Sequence, residues 1–512
     1  MLAKVISCSV AGVDGLPVQV EVDLAQGLPG FSTVGLPEGA VREAKDRVRA
    51  AIKNSGYEFP QRRITVNLAP ASVKKEGTGY DLPIALGILA AGGLLRGDLL
   101  ARTAIVGELS LDGSVRPVPG VLPMALAARQ EGLERLLVPT ANAAEAAIVQ
   151  GLEIYGVERL DQAVEFLAAR IALTPLVIDP AEIFSRHEGY AVDYADVKGQ
   201  QYAKRAMEIA AAGGHNLLLS GVPGSGKTMM ARRLPTILPD LTLDEAIETT
   251  KIFSTAGLLP EKTPLLATRP FRSPHHTVSD AGLIGGGQIP RPGEVSLAHN
   301  GVLFLDELPE FKKHVLEVLR QPLEDGTVTI ARAATSLNFP ARFMLVSAMN
   351  PCPCGYLGDQ VRPCTCSPLQ VQRYRSRLSG PLLDRIDMHI DVPAVQVKEL
   401  IGQPAGESSA DIRARVNRAR DRQRQRFAGA TRMYCNAQMT AKEVKHFCRL
   451  DPASADLLNQ SITRLGLSAR AYHRILKIAL TIADLAEAKA PGLAHVAEAI
   501  QYRRVQIGRA HV

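Results

Sequence analysis

One eight-residue segment limits the possible folds of this 512-residue chain more strongly than any other. Residues 221–228 follow the apolar run 217–219 and fit the phosphate-loop pattern G-x-x-x-x-G-K-[ST] at every fixed position. In such a loop, backbone N–H groups and a helix N-terminus surround phosphate oxygens. The pattern predicts an α/β fold that binds a nucleoside triphosphate, whereas a glycine-rich turn that binds nothing is the alternative. The predicted nucleotide-binding residues are Gly221, Val222, Pro223, Gly224, Ser225, Gly226, Lys227 and Thr228.

A second apolar strand supplies the carboxylates that such a site needs. Residues 302–305 are Val-Leu-Phe-Leu, and Asp306 and Glu307 follow them. Because α/β folds bind ligands at the carboxyl edge of the sheet, these side chains are expected beside the phosphate loop. Lys227 would contact the β and γ phosphates. Thr228 and Asp306 would hold Mg²⁺, and Glu307 would polarise the attacking water. The pair predicts ATP hydrolysis, with a solvated strand end as the alternative.

Further polar residues complete the predicted catalytic set. Asn350 follows a predicted strand and is expected to hold the attacking water and sense the γ-phosphate, unless it only forms a turn before proline. Arg385 could act on a neighbouring subunit's γ-phosphate as an arginine finger, or pair locally with Asp387. Arg470 begins a long helix and could contact the nucleotide of its own subunit. Arg474, one turn on, is its substitute.

Four of the seven cysteines form two C-x-C pairs on one predicted loop. Four close thiols in a reducing compartment favour Zn²⁺ over disulfides, and two such pairs can supply tetrahedral sulfur ligation. The predicted zinc is structural, since four sulfurs leave no open position for chemistry. Incidental thiols are the alternative. The predicted ligands are Cys352, Cys354, Cys364 and Cys366.

Much of the positive charge lies in one segment. The net charge is +7, and seven arginines with one acid lie between residues 413 and 426. Apolar residues at helical spacing predict an amphipathic helix there, with arginines on its outer side. Such a helix could neutralise nucleic-acid phosphates, while a solvated face or intersubunit ion pairs are the alternative.

Hydropathy predicts a cytoplasmic protein without a membrane span. Hydrophobic residues make up 46% of the chain and charged residues 22%, which is typical of globular proteins. The longest apolar run, residues 84–95, is too short and too rich in glycine to cross a bilayer. No apolar signal region follows Lys4.

The order of the predicted elements divides the chain into three domains. Residues 1–173 mix alternating strands with helices, and residues 174–194, with two prolines, are typical of a linker. Residues 195–400 alternate strand and helix around the phosphate loop. Residues 410–512 are helical throughout. The predicted fold class is therefore α/β with a parallel sheet, followed by a helical domain.

The motifs together resemble those of magnesium-chelatase-like AAA+ proteins of the ComM/YifB type. The resemblance covers essentially the whole chain. It implies an AAA+ ATPase core, a helical lid domain and a hexameric ring with ATP sites between subunits. It also implies a DNA motor that drives branch migration during recombination of DNA taken up in natural transformation. Besides the phosphate loop, the resemblance rests on residues 196–205, 215–216, 269–276, 297–301 and 350–355.

The same resemblance implies additional site residues. It adds Val197 and Gln200 to the nucleotide site. It assigns residues 269–287 and 324–339 to two inserts that point into a central pore, where single-stranded or branched DNA would pass. Arginines and histidines on such inserts suffice to contact a phosphate backbone without reading sequence. The DNA contacts that it implies are Arg272, His275, His276 and Arg332.

Residues 1–173 resemble the Lon-protease fold without its catalytic dyad. The serine position of that fold falls on Gly79 and the lysine position near Leu122. Thr78 with Lys74 or Lys75 is the remaining alternative for a dyad. The resemblance therefore predicts a structural or DNA-binding domain without proteolytic activity.

Three functions are consistent with these residues. The favoured one is a DNA-translocating ATPase. A chelatase-type motor that remodels a protein partner shares every ATPase motif, so the motifs alone leave it open. An ATP-dependent protease is disfavoured by the missing dyad.

Overall fold

Residue contacts divide the chain into two units, each assembled from three stretches of sequence. The structure is a computed structural model that describes residues 1–95, 98–185, 190–260, 263–287, 290–332, 335–394, 406–429 and 433–503. The first unit comprises Met1–His187, Leu243–Ala267 and Ala333–Asn338. The second comprises Glu188–Thr242, Thr268–Arg332 and Phe339–Val512. The predicted division at residues 173, 195, 400 and 410 stays a prediction.

The first unit is built on a seven-stranded mixed sheet in the order β3-β4-β2-β1-β5-β8-β9. Its strands are β1 (Leu2–Ala11), β2 (Asp14–Ala25), β3 (Gly30–Val34), β4 (Arg63–Ala69), β5 (Thr103–Ile105), β8 (Arg135–Pro139) and β9 (Glu153–Val157), and β6 (Glu108–Leu109) and β7 (Val115–Arg116) form a separate pair. In β2, Val18, Val20 and Val22 are buried while the residues between them are half-buried. This period of two is the alternation expected of a strand with one covered face.

The helices of the first unit bury apolar residues at helical spacing. In the helix Gly39–Asn54, Val41, Ala44 and Val48 are buried, which is the spacing of a helix with one covered face. The apolar run near residue 84 forms the core helix Asp81–Ala91. No helix in the described ranges is long and apolar enough to cross a membrane. The other helices are Asp98–Ala101, Val121–Gln130, Thr140–Ala146, Leu160–Leu167, Pro180–Ser185, which lies inside the predicted linker, and Leu243–Ala256.

The helix Leu243–Ala256 belongs to the first unit, although its position in the sequence suggested the ATPase domain. The Ser254 hydroxyl donates a hydrogen bond to the Glu145 carboxylate. The backbone N–H of Gly120 donates to the Ser254 carbonyl at 3.0 Å. These partners lie more than a hundred residues away in sequence, so no local pattern could have indicated them.

The second unit is built on a five-stranded parallel sheet in the order β11-β14-β17-β10-β18. Its strands are β10 (Leu217–Ser220), β11 (Phe271–Arg272), β14 (Val302–Leu305), β17 (Met344–Met349) and β18 (Met388–Asp391), together with the shorter β12 (Gly285–Gly286) and β13 (Arg291–Pro292) and with β15 (Thr327–Arg332). The strand β16 (Thr335–Pro340) consists mostly of residues of the first unit. Every residue of β14 and β17 is buried, as their continuous apolar sequences predict. Because the strands are parallel, the residues that follow β10, β14 and β17 meet at one edge.

The C-terminal part of the second unit is helical, as predicted. Asp451 accepts a hydrogen bond from the Ser454 N–H, Pro452 occupies the first turn, and Gly466 ends the helix with φ 59°. These local signals fix both ends of the helix Pro452–Leu465. The C-terminal helices are Ser409–Arg426, Ala441–Phe447, Pro452–Leu465, Ala469–Leu485 and Leu493–Gln501. Those earlier in the unit are Gln201–Gly213, Lys227–Arg233, Asp280–Ile284, Glu294–Leu297, Lys313–Val318, Pro322–Asp325, Pro368–Arg375 and Gly380–Leu383.

Candidate functional site

The phosphate loop leaves the buried strand β10 and has a backbone that only glycine adopts easily. Gly224 and Gly226 have φ angles of 77° and 91°, in the left-handed region. A Cβ on Gly221 would lie 2.2 Å from the carbonyl oxygen of Val392 on the neighbouring chain segment. The loop therefore requires its glycines for shape and for packing, and the helix Lys227–Arg233 begins directly behind it.

Lys227 is a buried cation whose hydrogen-bond partners are neutral. Its side-chain Nζ donates to the carbonyl oxygens of Gly221 at 2.7 Å and Val222 at 2.9 Å, and lies 3.4 Å from Asn350 Oδ1. Burial lowers the pKa of Lys227, although Asp306 opposes the shift. A phosphate group would supply the negative charge that this ammonium lacks, so the residue fits an ATP site.

Thr228 and Asp306, the two predicted Mg²⁺ ligands, are hydrogen-bonded to each other. Thr228 Oγ1 donates to Asp306 Oδ2 at 2.7 Å, and the backbone N–H of Glu307 donates to Asp306 Oδ1 at 2.9 Å. A hydroxyl and a carboxylate are hard oxygen ligands of the kind that Mg²⁺ prefers. The donor set therefore fits a Mg²⁺ ion beside the phosphate loop.

Asn350 follows β17 at the same edge of the sheet. The backbone N–H of Gly221 donates to the Met349 carbonyl at 3.2 Å, which places the end of β17 beside the loop. A Cβ on Gly355 would lie 2.7 Å from Pro223 Cγ, so the turn after Asn350 packs against the loop as well. This position supports the proposed sensor role more than a turn alone, and the role stays a prediction.

The two nucleotide-site residues implied by the family resemblance differ in position. Gln200 Nε2 lies 3.4 Å from the Ser225 carbonyl and donates to the Pro393 carbonyl at 2.6 Å, so it links the loop to the end of the sheet. Val197 is fully buried among the core residues of the second unit. Its contribution to nucleotide binding stays a prediction.

His276 lies beside the ATPase carboxylates, a position that sequence reasoning missed. Its Nδ1 is 3.6 Å from Glu307 Oε2, and its ring meets the Phe311 ring edge-on, with 6.4 Å between the centroids. The family resemblance suggested DNA contact for this residue instead. No local pattern could have indicated the pairing, because His276 and Glu307 lie on separate segments that the sheet brings together.

Arg385 is buried and pairs with Glu324, not with Asp387. Its guanidinium lies 2.5 Å from Glu324 Oε1 and donates to the Pro381 carbonyl at 2.8 Å. Asp387 instead accepts from Arg474, which also donates to the Arg385 carbonyl at 3.0 Å. The local Arg385–Asp387 pair considered from sequence is therefore not formed.

Arg470 also faces Glu324, at 3.7 Å. Its position groups it with Arg385, whereas the sequence suggested a contact with the nucleotide of its own subunit. Arg474, the suggested substitute, is engaged with Asp387 and positions the segment that carries Arg385. The catalytic roles of these arginines stay predictions.

The four clustered cysteines converge as predicted. The Sγ of Cys352 lies 3.3 Å from that of Cys354 and 3.6 Å from that of Cys364, and all four ligand atoms lie within 4.8 Å of one another. A tetrahedron with Zn–S bonds of about 2.3 Å has edges of about 3.8 Å. Backbone N–H groups of Cys354 and Cys366 also point at neighbouring sulfurs. The cluster fits a Zn²⁺ ion.

The residues expected to contact DNA are mostly engaged within the chain. Arg272 forms a bidentate pair with Glu294, with both distances 2.7 Å. His275 Nδ1 lies 2.9 Å from Thr277 Oγ1. Arg332 is the last residue of β15, and its side chain lies outside the described residues. The Arg272 pair argues against an unpaired phosphate-binding cation at that position.

The arginine-rich helix Ser409–Arg426 uses its charges mainly within the chain. Arg415 pairs with Glu208 and Glu407, and Arg426 pairs with the buried Asp484. The remaining engaged members are Arg418 with Glu487, Arg420 with the Ala212 carbonyl, Arg422 with the Ala488 carbonyl and Arg424 with Asp421. The structure therefore favours ion pairing over DNA binding for this helix, within the chain rather than between subunits.

The first unit offers no support for a threonine–lysine dyad. The Thr78 hydroxyl donates to the Glu108 carboxylate, and the buried Lys75 ammonium donates to the Pro70 carbonyl. Lys74 pairs with Glu38 at 3.1 Å. Burial lowers the pKa of Lys75, but its observed partner is not Thr78.

Comparison with known proteins matches nearly the whole chain. The family described as magnesium chelatase, subunit ChlI, matches residues 193–400, the ChlI subunit of Mg-chelatase matches residues 20–142, and the ChlI C-terminal family matches residues 406–503. The chain is 48% identical over 509 residues to the competence protein ComM of Haemophilus influenzae, covering 98% of this chain and 97% of the relative.

Two further relatives support the assignment. The chain is 45% identical over 510 residues to the uncharacterised protein YifB of Salmonella typhimurium, covering 98% of this chain and 97% of that protein. A shorter match, 32% identical over 142 residues, links 26% of the chain to 18% of a Lon protease of Mycolicibacterium smegmatis. Together with the parallel sheet and its phosphate loop, these matches show that the chain belongs to the magnesium-chelatase-like AAA+ family of the ComM/YifB type, with a Lon-like N-terminal region.

Proposed function

We propose that this protein is an ATP-hydrolysing, ring-forming DNA motor that acts in recombination of DNA taken up during natural transformation. Membership of the AAA+ family implies ATPase activity with ATP and Mg²⁺, and suggests an oligomer. The observation that carries the proposal is the meeting of Lys227, the Thr228–Asp306 pair and Asn350 at the carboxyl edge of one parallel sheet. DNA as the partner is supported by the name of the competence relative.

The residues of the site would divide the work of hydrolysis. Bound Mg²⁺ would neutralise charge on the β and γ phosphates, held by Thr228 and Asp306. Lys227 would bind the same phosphates from the loop. Glu307, which is 58% exposed at the mouth of the site, would accept the proton of the attacking water. Asn350 would orient that water beside Lys227.

Arg385 would complete the site of the neighbouring subunit in a hexameric ring. In the isolated chain its charge is matched by Glu324, next to a cleft of about 580 Å³ that both residues line. An incoming γ-phosphate could compete with Glu324 for the guanidinium. We propose that Arg470, which faces the same carboxylate, responds to the same neighbour.

The cysteine cluster would hold a structural Zn²⁺. Its four thiols occupy every coordination position of a tetrahedral ion, so the metal would supply rigidity to residues 352–366 and no reactive ligand. Because this loop follows Asn350 and packs near Pro223, its order would position the sensor residue.

The test is ATP turnover and three- or four-stranded branch movement by the purified protein with defined DNA substrates. We expect turnover to rise with single-stranded or branched DNA. Glu307→Gln should retain ATP binding and lose at least about a hundredfold in turnover, which separates DNA motion driven by hydrolysis from passive binding. Absence of both DNA binding and DNA-stimulated turnover would contradict the proposal.

Two control substrates address the other functions. The magnesium-chelatase family match favours a motor that remodels a metal-inserting protein partner as the second candidate. Turnover stimulated by such a partner with its porphyrin, and not by DNA, would support that function. Casein cleavage would support a protease, against the engaged Thr78 and Lys75 side chains.

A further inference from the structure

A cleft in the helical part of the second unit carries basic and aromatic side chains that the ATPase site does not use. Its volume is about 600 Å³, within the range of roughly 300–1,000 Å³ typical of small-ligand pockets. It lies where the helix Ser409–Arg426 ends beside the helix Ala441–Phe447. Its lining residues include Lys442, Lys445, His446, Phe447, Arg449 and Phe427.

Three cations of this cleft are available to a ligand. Lys442, Lys445 and Arg449 are exposed, and the described residues give them no ion pair. Lys442 and Lys445 are three residues apart, so their side chains lie on one helix face, and Arg449 follows just beyond the helix end. This differs from Arg426 at the cleft wall, whose charge is matched by Asp484.

The acid that lines the cleft, Glu443, forms no ion pair with these cations among the described residues. Glu443 accepts hydrogen bonds from the backbone N–H of Thr440 at 2.9 Å and from the Thr440 hydroxyl, as in a capping box. These hydrogen bonds lower the pKa of Glu443 and fix its carboxylate at the start of the helix. The three cations outnumber this one carboxylate, so the exposed lining keeps an excess of positive charge.

Aromatic rings lie among the cations. The Phe427 and Phe447 rings meet at 79° with centroids 5.8 Å apart, and the His446 ring meets Phe447 at 82° and 4.6 Å. Phe427 is buried and Phe447 is half-buried, whereas His446 is exposed. The Phe447 ring contacts both the Phe427 ring and the His446 ring, and the exposed His446 ring is suited to stacking with a planar group.

We propose that this cleft binds single-stranded nucleic acid, with phosphates on Lys442, Lys445 and Arg449 and a base stacked on His446. Unpaired cations with an interleaved aromatic ring are the combination by which proteins bind single strands without sequence preference. A duplex keeps its bases stacked inside, and an acidic peptide carries no base that could stack on the His446 ring. The proposal rests on the proposed DNA motor and names a binding site for it outside the pore inserts.

The test measures binding of a labelled oligothymidylate to the full-length protein by fluorescence anisotropy over a series of salt concentrations. The triple variant Lys442→Gln, Lys445→Gln, Arg449→Gln should bind at least about tenfold more weakly. Its slope of log affinity against log salt should decrease in magnitude by about 2. Basal ATP turnover without DNA and the melting temperature should stay unchanged.

His446→Ala tests the stacking contact separately. The wild-type protein should bind oligothymidylate about fivefold or more tightly than an abasic strand of the same length, and His446→Ala should remove this difference.

The control for the charge variant is Arg464→Gln with Lys489→Gln, because both residues are exposed cations of the same helical region outside the cleft. This control should bind the strand like the wild type.

The outcomes separate this proposal from the proposed function. If the wild-type protein binds no DNA, both fail. If it binds DNA and the triple variant binds equally well with an unchanged salt slope, only the cleft proposal is overturned. Displacement of the oligonucleotide by polyglutamate at equal charge concentration would assign the cleft to acidic peptides and overturn it as well.

Discussion

His215 is a histidine that burial keeps uncharged. Its Nε2 lies 2.8 Å from Thr481 Oγ1, and Thr481 itself donates to the Lys477 carbonyl at 2.9 Å, so the histidine is the donor to Thr481. Burial, reinforced by the positive charge of Lys477, lowers the pKa of His215 to about 3. The folded protein therefore holds His215 as the neutral tautomer with its proton on Nε2.

This lowered pKa predicts a loss of stability on acidification. The histidine of the unfolded chain has a pKa of about 6.5, so between that value and about pH 3 the unfolded state binds one more proton than the folded state. The stabilising contribution of the uncharged His215 is fully present above about pH 6.5. Below that value the free energy of unfolding falls by up to about 1.4 kcal/mol per pH unit. His215→Asn should be less stable at neutral pH and have a smaller pH slope. Chemical unfolding between about pH 7 and pH 4 measures both, and an unchanged slope would contradict the assignment.

His276 is the second residue whose position makes a specific prediction. Because it lies 3.6 Å from Glu307, His276→Gln should lower ATP turnover by about fivefold and leave single-strand affinity unchanged. If His276 instead contacted DNA in the pore, the variant would bind single strands more weakly and keep its ATP turnover without DNA. Turnover and oligonucleotide affinity measured on the same preparation decide between the two, with His275→Gln as the neighbouring control.

The arginine-rich helix is the element whose stability depends most clearly on one buried carboxylate. Asp484 is fully buried and holds Arg426 and the Asn436 amide, with Arg422 3.8 Å away. Asp484→Ala should destabilise the protein by about 3–5 kcal/mol, because it leaves these cations without their counter-charge. The control Asp421→Ala breaks an exposed pair and should cost less than about 1 kcal/mol. Thermal or chemical unfolding checks the contrast, and equal costs would refute it.

The cysteine loop gives a prediction about metal content. Mass spectrometry under native conditions should find one Zn²⁺ per chain, and Cys354→Ser should reduce the zinc content and the melting temperature together. Cys435→Ser, a buried cysteine outside the cluster, is the control and should retain the metal. Retention of full zinc by Cys354→Ser would contradict four-sulfur ligation.

At the scale of the whole assembly, Arg385 predicts that subunits depend on one another. Arg385→Ala should lower turnover by about a thousandfold while a single subunit keeps its ATP affinity. Lys227→Ala should lose nucleotide binding, while its Arg385 remains available to a neighbouring subunit. Mixing the two variants should restore part of the activity, because some interfaces then join an intact loop to an intact Arg385. No restoration on mixing would show that the arginine does not act between subunits.

Local sequence was sufficient for the elements that carry the ATPase motifs. The phosphate loop, the apolar strand before Asp306 and the capped helix Pro452–Leu465 each depend on residues within one short window. Their glycines, apolar runs and caps act on neighbouring backbone, so the pattern alone predicts them. The convergence of Lys227, Asp306 and Asn350 was also predictable, because parallel strands bring their carboxyl ends to a common edge.

The tertiary structure alone decided which partner each charged side chain has. It paired Arg385 with Glu324, placed His276 beside Glu307 and joined the helix Leu243–Ala256 to the first unit. The reason is physical: a phosphate loop is specified by its own backbone, whereas an arginine or a histidine can accept any carboxylate within reach. Which one is within reach depends on how segments far apart in the sequence pack together.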